Sequence, residues 1–318
     1  MKYILVSKLS EAVVECVPNF SEGRDSRRVE AIVSAMRIDG VHLLDWSMDA
    51  DHNRSVVTIA GNPAAVVESA VRGVGKAVEL IDLTRQQGVH PRIGAADVIP
   101  FAPVSGIKLE QCVLLARQAG LEIWRRFTVP VYFYEAAASR PDRVNLENVR
   151  SGQFEGLREA AIKDPSRRPD LGGPDLHPTA GACAVGARKF LVAYNIYFDS
   201  APISAVRAIA REIRAASGGL AGVKALGVVV HGRPQLTMNV TDFHATPLST
   251  VYARVAELAL RHKITIAEGE VIGLIPEAAC ERESEWMRQL AGSDLQSKVL
   301  EYRLKAPLPW PDEVAKGS

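Results

Sequence analysis

Apolar residues in the first hundred positions follow two different spacings, one typical of strands and the other of helices. Alternating or continuous apolar runs predict four short strands, and apolar residues at i, i+3, i+4 and i+7 predict two helices. The predicted strands span 13–17, 41–45, 55–60 and 98–101, and the helices span 28–36 and 63–80. This order, strand-helix-strand-strand-helix-strand, is that of the split βαβ unit in ferredoxin-like folds.

The same order of elements returns ~180 residues later, which indicates a duplicated unit. The second set comprises strands at 190–195, 222–226, 236–240 and 271–276, and helices at 203–213 and 248–261. We therefore expect an α+β chain of two tandem ferredoxin-like subdomains, residues 1–183 and 184–318. A cleft is expected between them, because small-molecule sites commonly form at such places.

The segment between the two sets carries a predicted helix at 109–127 and a β-like run at 130–134. A loop rich in proline and glycine follows at 164–181. Loops of this length are usually functional or disordered, so it is a candidate for part of a site. From Ser284 onward we expect a helix followed by a frayed, proline-containing end.

Composition narrows the class of function. The formal net charge is +1 over 318 residues, with Lys and Arg interspersed among Asp and Glu, which argues against a nucleic-acid partner. No apolar run approaches the ~20 residues of a membrane helix. The four cysteines are scattered, without metal-binding or disulfide spacing. We expect a cytoplasmic protein that acts on small molecules.

The segment Gly88–Gly94 holds the first candidate for chemistry. His90 precedes a proline, which disfavours helical backbone there and holds the imidazole on an extended turn. Glycines on both sides allow close approach of a ligand, and Arg92 adds a planar positive group. A single histidine in a loop is equally compatible with a capping or surface role.

A second polar loop runs from Asp45 to Arg54. Asp49, Asp51 and His52 could contribute to a metal site, but their spacing matches no zinc or calcium template, and a solvated acidic turn is the alternative. If the loop faces the cleft, Asp45 or Asp49 could orient a histidine or an amine. Arg54 could then hold a carboxylate through two parallel hydrogen bonds.

The run Pro18–Arg24 lies where a strand passes into a helix, a position that favours anions. A simple helix cap by Ser21 or Asp25 explains it equally well. No phosphate-binding or dinucleotide-binding glycine motif is present in the sequence, and no GxSxG element accompanies a plausible catalytic triad.

Several of these segments resemble the formiminotransferase family, the glutamate formimidoyltransferases of histidine degradation. The similarity covers roughly residues 13–280, and its motifs are specific in combination. They read VECVPNFSEG (14–23), DADHNRS (49–55), HPRIGAADVIPF (90–101), PVYFYEAA (130–137), HPTAGA (177–182) and GARKFL (186–191).

The resemblance implies a homodimer that uses tetrahydrofolate as co-substrate, without a metal. The histidine of the family's His-Pro-Arg motif acts in catalysis, which assigns that role to His90, with Asp45 and Asp49 as further catalytic candidates. The family's folate-binding loop maps onto Gly173, Pro174, His177, Pro178, Thr179, Ala180 and Gly181. The remaining candidates for binding substrate or folate are Asn19, Asn53, Arg54, Arg92 and Arg188.

The implied reaction moves a formimidoyl group from N-formimidoyl-L-glutamate to N5 of tetrahydrofolate. A sister reaction, formyl transfer from 5-formyltetrahydrofolate to glutamate, uses the same scaffold. A folate-binding protein without turnover is another alternative, because Val89 stands where family members usually carry glutamate. The last alternative is a metal-dependent hydrolase whose metal is bound by Asp49 and His52.

Overall fold

The computed structural model describes residues 12–281, 283–290 and 295–314. These residues divide into two compact units. The first unit consists of two segments, the described residues up to Arg188 and those from Pro307 onward. The second unit comprises Lys189–Ala306. The sequence-based boundary after residue 183 falls within the strand Cys183–Ala187.

The first unit is built on one mixed sheet. Its strands are β1 (Val13–Cys16), β2 (Asn19–Phe20), β3 (Val41–Asp49), β4 (Arg54–Gly61), β5 (Ala96–Ser105), β6 (Val131–Glu135) and β7 (Cys183–Ala187). Both β1 and β2 lie between β4 and β5, so that the antiparallel part reads β3, β4, β1 with β2, then β5. Beyond β5, the sheet continues through β7 and β6, which pair in parallel.

Helices cover this sheet because their apolar stripes have the helical period. They are α1 (Ser26–Ala35), α2 (Pro63–Leu80), α3 (Leu109–Phe127), α4 (Leu146–Val149) and α5 (Gln153–Lys163), with short 3₁₀ turns at Pro141–Arg143 and Pro165–Arg167. Asn62 begins α2: its side chain accepts a hydrogen bond from the N–H of Ala64 at 3.1 Å, and Pro63 occupies the first turn. Val66, Val67 and Ala70 of α2 are buried in the core of the first unit.

The second unit repeats the antiparallel arrangement. Its elements are β8 (Val192–Asp199), α6 (Ile203–Ile213), β9 (Val223–Val230), β10 (Arg233–Val240), α7 (Leu248–His262) and β11 (Thr265–Ile272), with 3₁₀ turns at Ala215–Ser217 and Glu277–Ala279. The strand order is β11, β8, β10, β9. In each unit the fourth strand of the motif therefore lies beside the first, and the first beside the third. Two separate cores result, one in each unit.

The predicted fold class, α+β with a repeated βαββαβ order, is confirmed. Two details differ. The closing strand of the second unit was expected at 271–276 but begins at Thr265, directly after α7. The strand β7 was missed because its sequence, CAVGA, consists of small residues with no polar-apolar alternation.

In residues 283–290 and 295–314 the C-terminal segment forms several short helices, where one helix and a frayed end were expected. It contains α8 (Glu285–Arg288), α9 (Leu295–Lys298), α10 (Leu300–Lys305) and α11 (Pro311–Val314). The N–H of Leu308 donates to the carbonyl of Leu43 at 2.8 Å, and Trp310 joins the first core at 7% exposure. Burial of the indole and this backbone hydrogen bond offset part of the conformational entropy that is lost when the segment is fixed.

No helix within the described ranges is long and apolar enough to span a lipid bilayer.

We predict that Trp310→Ala lowers the free energy of unfolding by ~3–5 kcal/mol, because it removes a buried aromatic ring from the first core. Urea denaturation followed by circular dichroism measures this loss. Leu260→Ala, at a side chain that is 79% exposed, is the control and should change stability by less than ~0.5 kcal/mol. Equal effects of the two substitutions would contradict the packing of the C-terminal segment.

Candidate functional site

His90 lies on the loop between α2 and β5, with its ring half-buried. Its Nδ1 is 2.8 Å from Nη1 of Arg54 and 2.7 Å from the carbonyl oxygen of Pro91. A guanidinium only donates and a carbonyl only accepts, so Nδ1 can satisfy one of these partners in each tautomer. In the described part of the chain Nε2 makes no hydrogen bond with the protein. It is therefore the nitrogen left for a substrate.

Arg54 connects His90 to a fully buried carboxylate, Asp97. Oδ2 of Asp97 accepts from Nη1 of Arg54 at 3.1 Å and from Nη2 of Arg150. Its other oxygen accepts from the N–H of Ile93 at 2.8 Å. Asn19 supports the same guanidinium, because its Oδ1 accepts from Nε of Arg54 at 3.0 Å. One carboxylate thus faces two guanidiniums, and this group carries an excess positive charge.

A β-bulge gives Asp97 its place in this group. Asn19 pairs with Val98 and Phe20 pairs with Ala96, so β5 has one more residue than β2 between these pairs, and that residue is Asp97. A bulge leaves its extra residue outside the regular ladder and changes the direction of its side chain. The irregular strand therefore allows a carboxylate to enter an otherwise apolar part of the sheet.

The buried charges shift each other's acidity. Burial alone would raise the pKa of Asp97, but Arg150 and Arg54 hold it below its ordinary value. Burial, followed by repulsion from Arg54 and Arg150, lowers the pKa of His90 to about 2. Burial and Arg150 lower the pKa of Arg54 to about 10, which leaves it protonated at neutral pH. At neutral pH the imidazole is therefore neutral, while Arg54 remains charged.

Asn53 joins three loops around His90. It is buried, with a positive φ of 49°, a backbone conformation that asparagine tolerates better than most residues. Its Oδ1 accepts from the N–H of Gly23 at 3.0 Å, and its Nδ2 donates to the carbonyl of Gln87 at 2.8 Å. A Cβ on Gly88 would lie 2.3 Å from the carbonyl oxygen of His52, so the loops touch backbone to backbone. Asn53 holds the loops in place with both ends of its amide.

The predicted folate loop runs beside the backbone that follows His90. Ala95 donates to the carbonyl of Ala180 at 2.9 Å, and Ala182 donates to that of Ile93, also at 2.9 Å. Nδ1 of His177 accepts from the N–H of Ala180 at 3.0 Å. A Cβ on Gly181 would lie 2.1 Å from the carbonyl oxygen of Ile93, so only glycine permits this approach.

Exposure varies along this loop. Gly173 and Pro178 are exposed, Pro174, His177 and Thr179 are half-buried, and Ala180 and Gly181 are buried. The exposed and half-buried members are the ones with surface available to a ligand.

All five N–H groups of Arg92 are engaged within the protein. Its Nη atoms contact both carboxylate oxygens of Glu155 at 2.8 and 2.9 Å and also the side chain of Gln153 at 3.3 Å. Nε and Nη2 donate to the side chain and the carbonyl of Gln86 at 2.8 and 3.0 Å. This buried side chain ties the His90 loop to α5 and leaves no donor for a ligand.

The two candidate aspartates of β3 occupy different places. Asp49 pairs with Arg54 across the strands and contacts His52, with Oδ1 to Nδ1 at 3.1 Å. The rings of His52 and His90 lie 6.1 Å apart, so Asp49 is close to the site. Asp45 pairs with Thr58. It precedes Asp49 by four residues along β3, and the two residues are therefore ~13 Å apart. The structure does not bring Asp45 together with His90.

Arg188 follows β7, and its N–H donates to the carbonyl of Phe101 at 2.9 Å. Burial raises the pKa of Tyr134, and Arg188 and Arg150 both act against this rise. Both arginines therefore lie within electrostatic range of Tyr134.

Sequence reasoning missed Asp97 and Arg150 as functional candidates. Asp97 lies within the motif HPRIGAADVIPF, and its apolar neighbours indicate a buried carboxylate. Because a buried carboxylate requires a partner, the sequence did contain a signal for its role. Arg150 has no such signal. It follows α4 and reaches Asp97 from 53 residues along the chain.

Within the described ranges, no group of three or more His, Cys, Asp or Glu side chains could hold a metal ion. The Asp49–His52 pair accordingly lacks a further ligand of these types.

Two family models match most of the chain. The formiminotransferase N-terminal subdomain matches residues 13–188, and the formiminotransferase domain matches residues 193–298. The chain belongs to the formiminotransferase family. The recognition made from the sequence motifs is thereby confirmed.

Several named relatives match most of this chain. The glutamate formimidoyltransferase of Streptococcus pyogenes serotype M1 is 40% identical over 92% of this chain and 98% of its own length. That of Thermoplasma acidophilum is 42% identical, again over 92% and 98%. The formimidoyltransferase-cyclodeaminase of Gallus gallus is 40% identical over 84% of this chain but only 51% of its own length. A solved microcompartment protein from Desulfitobacterium hafniense aligns with 82% of this chain and 93% of its own length, but its 15% identity and TM-score of 0.22 do not establish a shared fold.

We predict that Asp97→Asn costs ~3–5 kcal/mol of unfolding free energy, because it leaves two guanidiniums without their shared counter-charge. Urea denaturation measures the loss. Asp49→Asn is the matched control: its carboxylate is 36% exposed and should cost less than ~1 kcal/mol. Similar losses for the two variants would refute the proposed importance of the buried group.

We also predict that His90 stays neutral in the ligand-free protein at moderately acidic pH. Because the pKa of His90 is lower in the folded than in the unfolded chain, its proton binds preferentially to the unfolded chain. The contribution of His90 to stability is present above the unfolded value of about 6.5 and falls away as the pH drops below it.

Proton NMR of the imidazole resonances checks this, with His90→Gln to assign the signal. The His90 resonance should not move between about pH 5 and pH 8, a range in which an ordinary histidine titrates. A midpoint near 6.5 would show that the two guanidiniums do not act on the ring as described.

Proposed function

We propose that the chain transfers the formimidoyl group from N-formimidoyl-L-glutamate to N5 of tetrahydrofolate. The observation that carries this proposal is a neutral imidazole with an open Nε2, held at Nδ1 in a formiminotransferase chain. The names of relatives that are about 40% identical over most of the chain point to the same reaction. Tetrahydrofolate serves as co-substrate, and no step requires a metal.

The chemistry needs one group that takes up a proton and later returns it. N5 of the folate attacks the formimidoyl carbon, and Nε2 of His90 removes the N5 proton as the new C–N bond forms. The tetrahedral intermediate then breaks its bond to the glutamate nitrogen, which receives that proton from His90. This sequence uses the tautomer with its proton on Nδ1, whose N–H donates a hydrogen bond to the carbonyl oxygen of Pro91 at 2.7 Å and leaves the lone pair on Nε2. The imidazolium formed between the two steps keeps that hydrogen bond.

The depressed pKa of His90 has two effects on this sequence. It keeps the ring unprotonated and ready to act as a base at neutral pH. It also makes the ring a weaker base, since Arg54 and Arg150 oppose a third positive charge. An anionic donor placed near these guanidiniums would offset their field and raise the basicity of the ring during catalysis.

The loop from Gly173 to Gly181 is proposed to bind the folate. Support comes from its pairing with the backbone at Ile93 and Ala95, directly after the His90 turn. That pairing would place a folate held by the half-buried residues Pro174, His177 and Thr179 near the imidazole.

The other candidates receive different roles. Arg92 is proposed to position the His90 loop, since Glu155 and Gln86 occupy its donors. Asn19 and Asn53 are proposed to hold Arg54 and the loops, respectively. Asp49 acts through His52, while Arg188 contributes positive potential for the folate tail.

We propose a homodimer that works in the cytoplasm in histidine degradation.

We predict that His90→Ala lowers kcat/KM for formimidoyl transfer to tetrahydrofolate by ~10²–10⁴-fold, because it removes the acid-base group. A steady-state assay measures the product, 5-formimidoyltetrahydrofolate, and circular dichroism checks that the variant is folded. A parallel assay with 5-formyltetrahydrofolate and glutamate tests the sister reaction. Wild-type protein that binds folate in calorimetry yet turns over neither donor would refute the proposal.

A further inference from the structure

Arg150 is the charged group near His90 whose donors are least satisfied. In the described part of the chain, its guanidinium donates to Asp97 and to no other group. Its Nε is buried without a hydrogen-bond partner, although the side chain as a whole is 13% exposed. A guanidinium carries five N–H groups, and a buried donor without an acceptor is costly. The arrangement is that of a site with an absent acceptor.

The neighbouring arginines do not share this property. Arg92 spends all its donors on Gln86, Gln153 and Glu155. Arg54 uses Nε and Nη1 on Asn19, His90 and Asp97, and Nη2 also contacts Asn19. Among these three arginines, Arg150 therefore has the most donors left for a ligand.

The charge balance specifies the type of acceptor. Asp97 is the one carboxylate shared by Arg54 and Arg150, so these two positive groups share one negative partner. The nearby Asp49 is already paired with His52. A planar guanidinium matches a carboxylate in shape and bonds it through two parallel hydrogen bonds. A ligand carboxylate would supply both the missing acceptor and the missing charge.

We infer that Arg150 binds the α-carboxylate of the amidine donor and so selects donors derived from α-amino acids. This inference rests on the proposed function. In N-formimidoyl-L-glutamate, the α-carboxylate and the formimidoyl nitrogen are attached to the same carbon. Anchoring that carboxylate therefore holds the reacting carbon within a short distance of the guanidinium. Arg150 shares Oδ2 of Asp97 with Nη1 of Arg54, and that same Nη1 contacts Nδ1 of His90, so the guanidinium lies close to the imidazole.

The test uses three stable ligands that differ by one carboxylate. N-acetyl-L-glutamate has both carboxylates, N-acetyl-L-glutamine lacks the γ-carboxylate, and 4-acetamidobutanoate lacks the α-carboxylate. Isothermal calorimetry measures Kd for each ligand with the wild type and with Arg150→Gln. Arg158→Gln is the control, because Arg158 is an exposed residue of the nearby helix α5.

Arg150→Gln should weaken binding of the two ligands with an α-carboxylate by about 10-fold or more, the effect of losing a charge-assisted pair. Binding of 4-acetamidobutanoate should change by less than about two-fold, and Arg158→Gln should change none of the three. Equal weakening of all three ligands, or no weakening, would overturn the inference. So would wild-type protein that does not bind N-acetyl-L-glutamate.

A second variant covers a failure to fold. Arg150→Lys keeps the positive charge opposite Asp97 but loses the planar pair of donors. It should again weaken the two α-carboxylate ligands selectively, with an unchanged thermal unfolding midpoint, and an unselective loss overturns the inference. If the wild type transfers the formimidoyl group but the Arg150 variants show no selective loss of ligand binding, the proposed function stands and the role of Arg150 is refuted. If the variants lose binding selectively but the wild type has no transfer activity, the carboxylate site stands and the proposed function is refuted.

Discussion

The carboxylate of Asp97 is fully buried, and a buried charge is tolerated only when it is paired and hydrogen-bonded. Two guanidiniums and the N–H of Ile93 meet this requirement. Because Asp97 orients Arg54, and Arg54 contacts Nδ1 of His90, the position of the imidazole depends on a side chain that no substrate needs to touch. The same carboxylate leaves Arg150 only partly neutralised, and the inferred binding of a ligand carboxylate depends on this remaining positive charge.

Around this group the loops are fixed mainly by backbone contacts. Gly88 and Gly181 each allow one chain segment to lie against another where a Cβ could not fit. The side-chain amide of Asn53 connects two further loops through its hydrogen bonds with Gly23 and Gln87. A site held in this way keeps its side chains in place before the ligand arrives, which reduces the ordering cost of binding.

Periodicity was sufficient to predict much of the fold. The helices α2, α3 and α6 were predicted with their observed bounds, because amphipathic stretches of three or more turns have strong local signals. The strand β7 was not predicted, because small residues buried on both faces of a sheet carry no alternation. His90 and the loop at 173–181 were recognised from motifs. Arg150 was not, because its role depends on a contact with Asp97 that local sequence does not encode.

The chain leaves the first unit after Arg188 and rejoins it at Pro307, where Leu308 and Trp310 are anchored. The second unit is thus covalently attached at both of its ends, like an inserted domain. After a single proteolytic cut within residues 189–306, each of the two fragments would still contain a segment of the first unit. Replacing the second unit with that of a relative would require two compatible junctions rather than one.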